Sequence, residues 1–97
     1  MNDDVNTILR VYLAPDENGG FQPIGCEDRL SETFGRSVDA KKKEIERYLS
    51  FPHQPDWTKH ELLEEGEIYA SLLRASFPEL QDTVVKALAN RFMYNWR

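Results

Sequence analysis

Three features of this 97-residue chain predict an α+β fold, with an N-terminal β-hairpin packed against three main helices in a single domain spanning 1–97. The first is a β-branched and aromatic run, Thr7 to Ala14, followed by Asn18-Gly19, a dipeptide that accepts the positive φ angles of a tight hairpin turn. The second is helix-period spacing of apolar residues in three later segments. The third is the stretch Asp56 to Glu67, which combines a helix start with five carboxylates.

Leu9, Val11 and Leu13 alternate with Arg10 and Tyr12, the pattern of a half-buried strand. Pro15 to Gly20 breaks it, and Phe21-Gln22-Pro23-Ile24 is the expected return strand, placed at an edge because Pro23 cannot donate to a ladder. Residues 1–6 are expected to form a flexible N-terminus. Asp28 to Phe34 fits one or two helical turns capped by Asp28 and stopped by Gly35. From Ser37 to Ser50, Val38, Ile45, Tyr48 and Leu49 share one arc of a helical wheel, opposite Asp39, Lys43, Glu46 and Arg47.

Pro52 and Pro55 interrupt the next segment, so Phe51 to Asp56 reads as a loop. Thr58 and Glu61 then stand in the S/T-x-x-E relation of a capping box, which predicts a helix from Lys59 to about Ser76. Leu62, Gly66, Tyr69 and Leu73 form its inner stripe. Ile68 and Leu72 add a second stripe, which makes its later half central. Gly66 on the inner stripe leaves room for a close neighbour. A last helix from Gln81 or Asp82 toward the C-terminus would bury Val85, Leu88, Ala89, Phe92 and Trp96, with Leu80 stapled onto Val85.

The net charge of -5 disfavours binding to nucleic acid or to an anionic membrane, since both need clustered cations, and it favours a basic protein partner. Cys26 is the only cysteine, which excludes an intrachain disulfide and fits a reducing cytoplasm. The acidic start lacks the pattern of a secretory signal, and no apolar run is long enough to span a bilayer. A cytoplasmic protein is expected.

Candidate chemistry is sparse. Cys26 with His53 or His60 has the residue types of a thiol nucleophile and its base, but carries no family spacing. His60 and Glu64, at i and i+4, could clasp a metal with His53 or Asp56, but a polar helix face meeting water is the simpler account of them. Glu61 and Glu65 occupy capping and flanking positions, unlike a dry acid/base pair. Lys41-Lys42-Lys43 is followed by Glu44 and Glu46, as on a salt-bridged surface. Neither a catalytic constellation nor a cofactor or metal is therefore assigned.

What remains is a surface. Asp56, His60, Glu64 and Glu67 form a carboxylate-rich patch offset only by Lys59, suited to steering a cationic partner. Asn90 and Tyr94 on the last helix add a second candidate, Tyr94 reading either as an interface residue or as a tyrosine packed on the hairpin. In general character the chain resembles the small acidic immunity proteins of bacterial toxin systems. That resemblance is one of type, resting on no shared motif, and transfers no residue role. It implies a non-catalytic inhibitor that neutralises a basic partner such as a nuclease toxin. The alternative is a phage- or mobile-element-encoded regulatory adaptor using the same surfaces.

Overall fold

Asp4 decides the N-terminal structure: its carboxylate accepts from the backbone N–H of Asn6 at 2.7 Å and caps a helix, not a strand. The computed structural model describes residues 4–17 and 20–95. Five α-helices follow in order: α1 (Val5–Leu13), α2 (Cys26–Phe34), α3 (Val38–Leu49), α4 (Leu62–Ser76) and α5 (Asp82–Asn95), with a 3-10 turn, Gly35–Ser37, between α2 and α3. No strand occurs among the described residues, so the expected N-terminal hairpin and the α+β class are corrected to an all-α fold.

The correction has a definite cause. Val5, Ile8, Leu9 and Tyr12 also recur at helical spacing, and a helix buries Ile8, Leu9 and Leu13 together while leaving Val11 only half-buried. Periodicity over eight residues could not separate the two patterns; the cap and the long-range contacts do. Of the first six residues, Asp4 to Asn6 build the start of this helix. Buried Asn6 donates its side-chain amide to the Glu79 carbonyl at 3.0 Å and accepts from the Gln81 N–H at 2.7 Å, tying α1 to the entrance of α5. The expected turn at Asn18-Gly19 lies outside the described residues, as does Trp96.

The intended return strand is an irregular segment, with Ile24 85% exposed. Arg29 holds it. Its guanidinium donates to the carbonyls of Val11, Tyr12, Gln22 and Ile24 at 2.6–3.0 Å, so one side chain from α2 binds the end of α1 to the loop that follows. Gly25 precedes α2 with φ +81°, and Gly35 ends it with φ +53°, left-handed conformations that favour glycine.

The helix expected from Ser37 is α3, with Ile45 and Tyr48 fully buried. Helix α4 begins at Leu62, three residues later than expected, because its capping box is formed by Glu61 and Glu64; Thr58 instead closes a turn with Asp56. Tyr69 and Leu73 face inward as the stripe predicts, but Leu72 is 39% exposed and Ile68 half-buried, so the second stripe lies toward solvent. Helices α4 and α5 pack against each other. A Cβ on Gly66 would collide with Met93 Sδ, which shows how closely the side chain from α5 crosses that position. Tyr69 and Phe92 stack at 4.5 Å, and Val84, Val85 and Leu88 complete the core.

Candidate functional site

Two short devices shape the surface around α4. In the preceding loop, the Asp56 carboxylate accepts from the Thr58 N–H at 3.1 Å and the Thr58 hydroxyl at 2.6 Å, while the Asp56 carbonyl accepts from the N–H groups of Lys59 and His60. The two Thr58 hydrogen bonds, the hydroxyl first, lower the Asp56 carboxyl pKa. The second device is Glu65, which flanks the inner stripe in the sequence pattern and is 1% exposed in the fold.

Glu65 organises the loop. One of its oxygens accepts from the His60 ring at 2.8 Å and from the Asp56 N–H at 3.1 Å; the other accepts from the His53 ring at 2.7 Å. His53, led by its hydrogen bond, lowers the Glu65 pKa against the opposing effect of burial. An ionised carboxylate can only accept, so both imidazoles donate to it. His53 also packs against the rings of Tyr69 and Phe92, anchoring the loop to α4 and α5. Both histidines of the chain meet at one acidic residue, a convergence that sequence reasoning misses because the loop between His53 and His60 brings them together only in the fold.

The other groups singled out in the sequence lie apart from this cluster. Cys26 opens into a groove with Tyr12, Phe21, Arg91 and Tyr94, neither histidine lines that groove, and its Sγ donates to the Gln22 carbonyl at 3.3 Å. Among the described residues no group of three or more His, Cys, Asp or Glu is placed to hold a metal ion. Lys42 is ion-paired with Glu27, and Lys41 lies near Glu44 at 4.0 Å, so the lysine run belongs to a salt-bridged face. Among the described residues no helix is long and apolar enough to cross a membrane.

Of the six residues singled out for partner binding, Asp56 and His60 lie in the loop before α4, Glu64 and Glu67 on α4, and Asn90 and Tyr94 on α5. His60, Glu64 and Glu67 line one groove of about 380 Å³ with Ile68, Ser71 and Leu72. Glu67 and Asn90 line a second of about 540 Å³ between the helices. Asn90 and Tyr94 share a third of about 260 Å³. Five of the six thus form a continuous band, while Asp56 lines none of these grooves and serves the turn. Tyr94 meets Phe21 edge-on at 5.6 Å and stays 43% exposed, combining the packing and surface roles.

Glu64 and Glu67 are exposed and make no ion pair among the described residues. Glu64 accepts weakly from the Glu61 N–H at 3.4 Å, as part of the helix cap. Neither a family model, nor a curated protein, nor a solved structure matches the chain.

Proposed function

We propose that the chain is a non-catalytic cytoplasmic binding domain that docks a basic protein through the His60–Glu64–Glu67 groove, in the manner of an immunity protein covering a nuclease toxin's cationic surface. The carrying observation is that two exposed carboxylates, without an ion pair among the described residues, stand beside half-buried Ile68 and 39% exposed Leu72. Acidic groups steer a cationic partner toward the face, and the apolar residues between them supply area to bury once it arrives. The Glu65 cluster supports this role by fixing His60 at the groove's edge, so the surface is held in one shape before binding. The net charge of -5 acts in the same direction at longer range.

The test is capture from the native host with the wild-type chain and with Glu64→Gln/Glu67→Lys as baits, the glutamine retaining an acceptor for the helix cap. A basic protein retained by the wild type at low salt, released at high salt and lost by the variant supports the reading. Equal retention by both baits contradicts it.

A further inference from the structure

Exposed Leu63 and the groove between α4 and α5 form a second surface, which shares Glu67 and Ser71 with the acidic docking groove and otherwise lies apart from it. Its floor carries the small residues Gly66, Ala70 and Ala89, and its charge changes along its length, from Glu67 to Arg74 and Lys86. Those two cations share the carboxylate of Asp82, at 2.6 and 3.3 Å, which leaves that end net positive. Leu63, 72% exposed, stands one turn before Glu67. Past Arg74, a hollow of about 280 Å³ is lined by Phe77, Pro78 and Leu80 with Arg74 and Asp82.

We infer that a second copy of the chain covers this groove, with α4 packed antiparallel on α4 about a twofold axis beside Ala70. Glu67 and Arg74 lie two helical turns apart, about 10 Å along the axis. The midpoint falls at Ala70 and Ser71, whose small side chains let two helices approach. Rotation about that point sets Glu67 of each copy against Arg74 of the other, twice, in an isologous contact that closes at two chains. The same register carries Leu63 of each copy onto the Phe77–Pro78 hollow of the other. Charge and spacing therefore match under one operation. A foreign basic partner would meet Arg74 and Lys86 with like charge here, whereas the chain's own acidic end meets them with opposite charge.

Sedimentation equilibrium over a wide concentration series tests this. The wild type should pass from one chain to two, with association weakened by salt. Glu67→Arg alone and Arg74→Glu alone should each weaken it by roughly tenfold or more, because each sets like charges together twice. The double exchange Glu67→Arg/Arg74→Glu should restore it, while Leu63→Asp should weaken it without restoring charge balance anywhere. Circular dichroism confirms that each variant is folded. A wild type that stays monomeric throughout, a dimer indifferent to these changes, or a double exchange that fails to recover overturns the inference. Glu67 lines both grooves, so the variants that separate them leave it untouched: Arg74→Glu keeps the His60–Glu64–Glu67 groove intact, and Glu64→Gln alone keeps this one intact.

Discussion

Glu65 and His53 are twelve residues apart in sequence, yet their side chains meet at 2.7 Å, and this contact fastens the proline-bearing loop onto α4. With the His60 ring and the Asp56 N–H on the same carboxylate, a single buried acid holds three points of the loop. Removing it strands all three donors. Glu65→Ala should therefore lower the melting temperature by more than about 10 °C, as expected when one partner of a buried charge network is deleted. Thermal unfolding followed by circular dichroism measures this, and a shift of a degree or two would show that the cluster is incidental.

The cluster also sets a pH dependence. Folding depresses the Glu65 pKa below its ordinary value of 4.5, so the folded chain binds that proton less tightly than the unfolded one. The resulting stability is fully present above the ordinary carboxylate range and is lost as pH falls through the depressed folded value. Asp56, Glu79 and Asp82 shift in the same direction, so the wild-type profile alone does not isolate Glu65. The gap in denaturation midpoint between wild type and Glu65→Gln does: it should narrow as pH drops below about 4. A gap that is constant from neutral to acid pH would remove the ionised carboxylate from the explanation.

Much of the helical architecture could be read from the chain because three segments carry long 3.6-residue patterns with clear stops. Tyr69 and Leu73, and likewise Val85, Leu88 and Phe92, are buried where their spacing puts them. The first helix was hidden because Leu9, Val11 and Leu13 alternate as a strand would while Val5, Ile8, Leu9 and Tyr12 keep helical spacing, and what selects helix is the Asp4 cap together with the Asn6 bridge to Glu79 and Gln81, more than seventy residues away. The start of α4 was misplaced for a local reason: Thr58 has the right chemistry for a cap, but its hydroxyl is taken by Asp56, and Glu61 performs the task. The outer face of α4 was visible as a cluster of carboxylates. That Glu65 turns inward while Glu64 and Glu67 turn outward depends on the loop that returns His53 to α4, a tertiary contact that no wheel contains.

Arg29 adds to two backbone hydrogen bonds, Gln22 N–H to the Leu13 carbonyl and Asp16 N–H to the Gly20 carbonyl, in holding the segment after α1. Arg29→Ala should destabilise the fold by about 2–3 kcal/mol, since it leaves four carbonyls without their charged donor. Arg29→Lys should recover little, because an ammonium cannot reproduce the guanidinium fork. Urea denaturation of the two variants distinguishes this from a generic loss of charge, which the lysine would restore.

Leu73 is fully buried on the α4 face that meets α5. Leu73→Ala should cost about 2–5 kcal/mol through lost transfer energy and the cavity left behind. Leu72→Ala, on the exposed side, should cost well under 1 kcal/mol. Similar losses at both positions in chemical denaturation would mean that the α4 register is wrong.

The acidic groove remains the central functional claim, and the affinity of a captured basic partner for wild type and for Glu64→Gln/Glu67→Lys tests it most directly. Measured by calorimetry at several salt concentrations, the wild type should bind more tightly as salt falls, while the variant should bind at least about tenfold more weakly and with a shallower salt dependence. Equal affinity and equal salt dependence in the two proteins would contradict it.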